Sequence, residues 1–279
     1  MVVVITGASD GIGKAVARRM LARGATVYGL STGCCHLPGL RERRVDVTDR
    51  EAVNRTLDGI VRRWGRIDLL ILSAGVSLIS SADRIPLKAA RRLMEVNFWG
   101  VVYPLERALR QMKRQRSGRI VILSSFTGLI PLPYLGFYSS SKAALLAYAQ
   151  AVDDEVRPYG IRVTALMPGG VRTDFTRKRR CYPPPDASAA ARCRRVYDRL
   201  GWEEQTGLRP DTLAGRLAQL TERDCPPVLL PVGGIYRFYA LALRWLPHSL
   251  LRSAVRFKYC APHPLPLTGM PHKLYTPSR

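Results

Sequence analysis

Short runs of β-branched and aliphatic residues alternate along this chain with segments long enough to form helices. Five of these runs are predicted to be strands: Val2–Thr6, Thr26–Leu30, Leu69–Leu72, Arg119–Ser124 and Arg162–Met167. Strands that alternate with helices form a parallel sheet with helices packed on both faces. The chain of 279 residues is therefore predicted to fold as an α/β protein, a doubly wound parallel sheet in a single domain.

A glycine-rich loop lies between the first predicted strand and the first predicted helix. Glycines let the chain turn tightly, and the N–H groups at a helix start favour an anion such as a pyrophosphate. The helix places Ile12, Val16 and Met20 on one face and stops at Gly24. This context predicts a Rossmann-like sheet that binds a dinucleotide. The predicted contacts in the loop are Gly7, Ser9, Asp10, Gly11, Ile12 and Gly13.

The rest of the chain is predicted to extend this one structural domain. Residues 1–176 carry the dinucleotide-binding and catalytic core, and residues 177–234 are expected to form a variable helical substrate loop, because prolines interrupt them. Residues 235–279 form a basic, aromatic C-terminal extension whose end, from Pro262 onward, is proline-rich and expected to be loose.

The net charge of +23 favours anionic partners in general. We interpret it as arginine spread over solvated helix faces, because no zinc-finger spacing, RNP-like motif or basic zipper accompanies it. The sequence thus does not favour a nucleic-acid partner. The run from Arg41 to Arg44 is interpreted as a solvated turn, and a second basic run spans Arg177 to Arg180.

The segment Ile235–Tyr259 combines aromatic, aliphatic and basic residues and is split by Pro247. Arg237 and Arg244 interrupt its apolar residues too early for a transmembrane span. Two interpretations stay open: a helix pair packed as a lid or a dimer contact, or an interfacial helix in peripheral contact with a membrane. In the second, the residues expected to face lipid phosphates are Arg244, Arg252, Arg256 and Lys258.

The N-terminus and the cysteines indicate the compartment. Met1 leads directly into the apolar run Val2–Ile5 without the basic and cleavage regions of a secretion signal. The six cysteines contain no C-x-x-C pair, and the four histidines have no ligand spacing relative to them. We therefore expect a reduced, cytoplasmic protein without a metal site.

Tyr138 and Lys142 are four residues apart at a predicted helix start, so both project from one face. A free phenol titrates near pH 10, and an ammonium about 4 Å away would lower that pKa by about three units before desolvation is subtracted. The phenol could then act as acid or base near neutrality. Ser125, thirteen residues earlier, lies at a predicted strand end; Ser124 is the alternative.

The loop spacing T-G-x-x-x-G-x-G, together with Ser125, Tyr138 and Lys142, resembles the short-chain dehydrogenase/reductase family over residues 1–176. The remainder resembles poorly characterised bacterial members with a C-terminal extension. The resemblance implies that Ser125 orients a carbonyl oxygen, that Asn97 joins Lys142 to a proton-relay water, and that Lys142 also grips the nicotinamide ribose. Further implied cofactor contacts are Asp46 and Val47 at the adenine, Ser73, Ala74 and Gly75 after the predicted strand Leu69–Leu72, and Pro168, Gly169, Val171 and Thr173 at the nicotinamide. Leu72 and Ser73 stand where the family usually has a pair of asparagines.

The end of the second strand bears on the choice of cofactor. Ser31 and Thr32 stand where an NAD enzyme usually has a carboxylate that binds the ribose 2′-hydroxyl. Their hydroxyls suit the 2′-phosphate of NADP(H), and Arg41, Arg43 and Arg44 add positive charge, whereas Asp10 favours NAD(H). NADP(H) is therefore the preferred prediction.

The predicted activity is the interconversion of a carbonyl and an alcohol on a hydrophobic small molecule. Apolar residues near the site in sequence suggest that substrate, although ordinary core or dimer packing explains them equally: Phe126, Leu129, Ile130, Leu132, Tyr134 and Phe137. The alternative is a catalytically silent dinucleotide-binding regulatory protein. The family resemblance further implies a homo-oligomer.

Overall fold

The structure, a computed structural model, describes residues 1–243 and 245–261. It confirms the predicted Rossmann-like α/β fold in a single domain. The central sheet has seven strands, all parallel, in the order β3-β2-β1-β4-β6-β7-β9. Its strands are β1 (Val2–Thr6), β2 (Thr26–Ser31), β3 (Arg41–Arg44), β4 (Leu69–Leu72), β6 (Gly118–Leu123), β7 (Ile161–Pro168) and β9 (Leu229–Val232). A separate pair joins β5 (Leu78–Ser80) to β8 (Arg180–Tyr182).

Helices cover both faces of the central sheet. They are α1 (Gly11–Leu21), α2 (Arg50–Trp64), α3 (Leu87–Met94), α4 (Gly100–Gln115), α5 (Gly136–Val156), α6 (Ala187–Gln205), α7 (Pro210–Leu220), α8 (Gly234–Ala242) and α9 (His248–Cys260). Successive strand residues point to opposite faces. Val4 and Leu70 accordingly pack with α2, α4 and α5, whereas Val3 and Ile71 pack with α1 and α7.

The basic run 41–44 forms the edge strand β3 and not the solvated turn that we expected. The sequence did not predict this strand, because its four residues are all charged and show no alternation of apolar and polar residues. Two of its arginines lie over aromatic rings: the guanidinium of Arg41 is 5.2 Å from the Trp64 ring centroid, and that of Arg43 is 5.4 Å from the Tyr28 centroid. Charged side chains are common on edge strands, where they hinder pairing with another sheet.

Residues 177–234, predicted as a variable substrate loop, contain β9, which completes the central sheet. The other six strands of that sheet lie within the predicted core of 1–176. The strand β9 is four residues long and contains Pro231, so neither its length nor its periodicity marked it. It pairs with β7 at the opposite edge from β3. The same region also contains α6, a helix of 19 residues.

The C-terminal extension forms two helices, α8 and α9, on either side of Pro247. No helix in the described part of the chain is both long and apolar enough to span a bilayer. Arg244 and the proline-rich end from Pro262 to Arg279 lie outside the described residues, so the expectations for them stay predictions.

Candidate active site

A cavity of about 460 Å³ opens at the carboxyl ends of the central strands. The strand order reverses between β1 and β4, and open α/β sheets bind ligands at such a point. Sixteen of the predicted site residues line the cavity: Gly7, Ser9, Asp10, Gly11, Ile12, Gly13, Ser73, Ala74, Gly75, Ser125, Tyr138, Lys142, Pro168, Gly169, Val171 and Thr173. The cavity lining does not include Asn97, Ser31, Thr32, Asp46 or Val47.

The glycine loop is a cradle that side chains would fill. Gly7 has a φ of +69°, and a Cβ on it would lie 2.8 Å from the backbone nitrogen of Ala74. A Cβ on Gly13 would lie 2.2 Å from the carbonyl oxygen of Gly7. The Asp10 carboxylate accepts a hydrogen bond from the Gly11 N–H at 2.7 Å and caps α1. These glycines and the helix start fit the pyrophosphate of a dinucleotide.

The turn after β4 is fastened to β1, although Ser73 stands where the family motif has an asparagine. The Ser73 hydroxyl donates to the Thr6 carbonyl oxygen at 2.5 Å. In return, the Thr6 hydroxyl accepts from the backbone N–H groups of Ser73 and Ala74 at 3.2 and 3.3 Å. The shorter serine therefore still fixes this turn beside the glycine loop.

Tyr138, Ser125 and Lys142 meet at the start of α5. Tyr138 is 8% exposed, and its phenol is hydrogen-bonded to the Ser125 side chain. Ser124 is buried instead and donates to the backbone carbonyl of Lys142 at 2.9 Å. The structure therefore places Ser125, and not Ser124, against the phenol.

The pKa of Tyr138 differs from the sequence-based expectation. Burial raises it above 10, and the charge of Arg179 and the hydrogen bond to Ser125 offset only part of that rise. The Lys142 ammonium donates to the Leu123 carbonyl at 2.8 Å and lies 5.7 Å from the Tyr138 ring centroid. Burial lowers the pKa of Lys142 to about 8. The direction is thus opposite to the lowered phenol pKa that we expected from the neighbouring Lys142.

Asn97 lies behind the cavity in a π-helical turn between α3 and α4. Its side-chain nitrogen donates to the Val76 carbonyl and the Ser141 hydroxyl, each at 3.0 Å. Its oxygen accepts from the Val76 N–H at 2.8 Å. The amide thus ties the loop after β4 to α5, and its proposed connection to a relay water stays a prediction.

The remaining predicted cofactor contacts lie at the carboxyl ends of β2 and β3. The Ser31 hydroxyl accepts from the Ser9 N–H at 3.1 Å, and Arg44 is the register partner of Ser31 in β3. Thr32 is exposed. Asp46 accepts from the Arg92 guanidinium at 2.6 Å, and Val47 is buried.

Helices α6, α8 and α9 contribute side chains to the cavity lining. This agrees with the lid interpretation of Ile235–Tyr259, although the sequence analysis assigned no individual lining residue there. The Tyr236 hydroxyl accepts from the Gly170 N–H at 3.3 Å, and a Cβ on Gly169 would lie 1.8 Å from the Tyr236 ring. Glu203 accepts from the Tyr259 hydroxyl at 2.9 Å and pairs with Lys258 at 2.6 Å. Lys258 therefore pairs with α6, whereas the interfacial interpretation placed it against lipid phosphates. The paired glycines 169 and 170 were the available sequence signal of a close approach.

Known proteins resemble this chain over most of its length. The family model described as short chain dehydrogenase matches residues 1–182. A 3-ketodihydrosphingosine reductase of Bacteroides thetaiotaomicron is 32% identical over 265 residues, which cover 92% of this chain and 97% of the relative. A short-chain dehydrogenase from Streptomyces avermitilis superposes with a TM-score of 0.78 at 26% identity, covering 92% and 96% of the two chains. Another from Burkholderia cenocepacia, in complex with NADP, has a TM-score of 0.71 at 25% identity, covering 94% and 98%.

Proposed function

The chain belongs to the short-chain dehydrogenase family, and on that basis we propose that it interconverts a carbonyl and an alcohol on a hydrophobic small molecule. It is an oxidoreductase that depends on a nicotinamide dinucleotide. The observation that supports the proposed reaction is the meeting of Tyr138, Ser125 and Lys142 in the cavity that also holds the glycine loop.

In the reductive direction, Tyr138 donates its phenolic proton to the carbonyl oxygen as that oxygen becomes an alkoxide. Ser125 donates a hydrogen bond that orients the same oxygen. Lys142 would hold a ribose hydroxyl of the dinucleotide, and its charge stabilises the phenolate left on Tyr138. The bound nicotinamide supplies the hydride. In the oxidative direction the phenolate is the base that accepts the proton of the alcohol.

The hydrophobic substrate is proposed from the apolar side chains that line the cavity. Side chains from both walls contribute apolar surface there: Phe126, Ile130, Leu132, Leu135, Phe175, Leu200, Leu251 and Val255. Apolar walls with a few convergent polar groups are typical of small-molecule sites. The Bacteroides relative is named a 3-ketodihydrosphingosine reductase, which supports a ketone as the reacting group.

NADP(H) is proposed as the preferred cofactor. No carboxylate stands at the end of β2, and Arg44 lies beside Ser31 there. Asp10, which argued for NAD(H), is paired with the Lys178 ammonium, so its charge is neutralised locally. The Burkholderia relative has NADP bound, which supports the same choice.

The outer face of α8 and α9 is proposed to contact an anionic membrane surface. Its exposed apolar side chains include Phe238, Trp245 and Phe257, which are 67%, 83% and 70% exposed. Arg237, Arg252 and Arg256 are exposed among them, a mixture typical of helices that lie on anionic lipid. Because the opposite face of these helices lines the cavity, a hydrophobic substrate could enter directly from the bilayer.

The purified protein should be screened for oxidation of NADPH and NADH with long-chain ketones, aldehydes, steroids and retinoids. We expect NADPH to be consumed with at least one hydrophobic ketone. Tight NADPH binding without turnover across the panel would instead favour the catalytically silent dinucleotide-binding protein.

A further inference from the structure

Arg179 is a buried cation in the cavity wall that the proposed reaction does not use. It is 7% exposed and immediately precedes β8. Pairing of β8 with β5 fixes the backbone there, and the Arg180 N–H donates to the Ser77 carbonyl at 3.3 Å. The Nε of Arg179 donates to the Ser77 hydroxyl at 2.9 Å. One edge of the guanidinium is therefore anchored, and the group is held in place.

The rest of the guanidinium lacks a matching acceptor. Its Nη1 is buried and has no hydrogen-bond partner. Within residues 1–243 and 245–261, no carboxylate forms an ion pair with Arg179. Nearby Glu204 accepts from the Thr173 hydroxyl and the Thr176 N–H instead, both at 2.7 Å. An unpaired buried cation is costly, so an anion supplied from outside would stabilise it.

The guanidinium is positioned at the reacting end of the cavity. Its central carbon lies 6.0 Å from the Phe175 ring centroid, and that ring lies 6.0 Å from the Tyr138 ring. The positive charge of Arg179 also acts on the Tyr138 phenol. The preceding residue, Lys178, turns the other way and pairs with Asp10 at the glycine loop. Of these two neighbouring cations, Lys178 thus lies at the glycine loop and Arg179 lies near Tyr138.

We propose that Arg179 binds a carboxylate carried by the substrate, so that the preferred substrate is a hydrophobic oxo acid with its carboxylate close to the reacting carbonyl. Guanidinium groups match carboxylates in shape and form charge-assisted hydrogen bonds with them. This inference rests on the proposed carbonyl–alcohol reaction and specifies its substrate class. The apolar lining holds the chain of the acid, and Tyr138 and Ser125 hold its carbonyl.

The test compares medium-chain oxo acids, differing in ketone position, with the methyl ester of each. For the unmodified protein, kcat/KM should be higher for at least one acid than for its ester. Because the charge of Arg179 also acts on Tyr138, the variant is judged by the ratio of the two substrates. Arg179→Gln should lower kcat/KM for the acid about 10- to 100-fold more than for its ester. Arg179→Lys should retain part of the preference. Arg180→Gln, at the exposed neighbouring position, is the matched control and should change kcat/KM for neither the acid nor the ester.

A binding measurement separates this inference from the proposed reaction. A saturated fatty acid, which cannot be reduced, should bind by calorimetry more tightly than its methyl ester, and Arg179→Gln should abolish the difference. If the fatty acid behaves so but no carbonyl compound is turned over, the proposed reaction fails and the carboxylate site stands. Equal use and binding of acid and ester by the unmodified protein would overturn the site, whether or not the variant folds. A loss of NADPH affinity in Arg179→Gln without a loss of acid preference would also overturn it.

Discussion

The two walls of the cavity are built on different principles. The wall from residues 1–176 consists of strand ends, the glycine loop and the start of α5, and its parts are held by backbone contacts such as those among Gly7, Gly13 and Ala74. The wall from residues 177–243 and 245–261 depends more on side-chain contacts, among them the hydrogen bond between Glu203 and Tyr259. The first wall carries the groups proposed for cofactor and proton transfer and part of the apolar substrate lining. The second carries the rest of that lining, Arg179 and the face proposed to contact a membrane. Substitutions in the two walls should therefore alter different measurable properties of the protein.

The largest effect is expected from Tyr138→Phe in the first wall. Removing the phenolic proton should lower turnover by about 10² to 10⁴ while NADPH affinity and the fold are kept. Steady-state kinetics and a cofactor titration measure the two quantities. Tyr197→Phe is the matched control, because Tyr197 is buried but does not line the cavity. Full activity in the Tyr138 variant would show that the first wall does not carry the proton donor.

The next effect concerns the stability of the unliganded protein. Burial holds the pKa of Lys142 at about 8 instead of 10.5, so the unfolded chain binds more protons between these values. This penalty is complete below pH 8 and disappears as pH rises to 10.5. Lys142→Met should raise the free energy of unfolding by on the order of 2 kcal/mol at pH 7, after the lost hydrogen bond to Leu123 is subtracted.

Urea denaturation at pH 7 and pH 10 measures this difference. The increase in the free energy of unfolding should be smaller at pH 10 than at pH 7. The same variant should lose turnover and NADPH affinity. A Lys142→Met protein that is less stable at pH 7 than the unmodified protein would show that burial of the ammonium does not destabilise the folded state.

A smaller effect is expected at the outer face of the second wall. Replacing both Phe238 and Trp245 with Ser should weaken binding to vesicles that contain anionic lipid by about tenfold, because two exposed apolar side chains no longer enter the interface. Co-sedimentation with vesicles measures the affinity, and high salt should release the unmodified protein. Leu87→Ser, at an exposed apolar position on α3, is the control.

The alternative for this face is a contact between two copies of the chain. In that case the unmodified protein would not pellet with vesicles, and the double variant would change its oligomeric state in size-exclusion chromatography. Turnover on a substrate in free solution should be similar in the variant and the unmodified protein under either outcome.

The smallest effect is a change in cofactor choice within the first wall. Ser31→Asp should shift the ratio of affinities from NADPH toward NADH roughly fivefold to tenfold, because a carboxylate repels a 2′-phosphate and accepts from a 2′-hydroxyl. Ser31→Ala is the control: it removes the hydroxyl without adding a charge, so it should shift the ratio of affinities less than Ser31→Asp does. Tighter binding of NADH than NADPH by the unmodified protein would contradict the proposed preference and leave the oxidoreductase assignment intact.

The same division explains what the sequence could predict. The glycine loop and the Tyr138–Lys142 pair depend on local spacing, so they are visible in a single stretch of sequence. The position of Arg179 depends on pairing between β5 and β8, which are about a hundred residues apart in the chain. No local pattern encodes that pairing. The rise in the Tyr138 pKa likewise comes from burial by distant elements, which spacing to Lys142 does not reveal.

The strands show the same limit. β1 and β4 could be predicted because every residue in them is aliphatic or β-branched, and the structure shows all of them buried. β3 and β9 lie at the edges of the sheet, where burial no longer dictates the residue types. Arginines could therefore occupy one edge strand and a proline the other.

The most direct test of the account follows the hydride itself. NADPH carrying deuterium at the nicotinamide C4 should be incubated with the protein and a hydrophobic ketone that supports turnover, and the alcohol product analysed by mass spectrometry. We predict that one deuterium, delivered from one face of the nicotinamide, appears on the former carbonyl carbon, and that Tyr138→Phe suppresses its appearance. Oxidation of NADPH that leaves the product unlabelled, with both deuterated isomers of the cofactor, would contradict direct hydride transfer in this cavity.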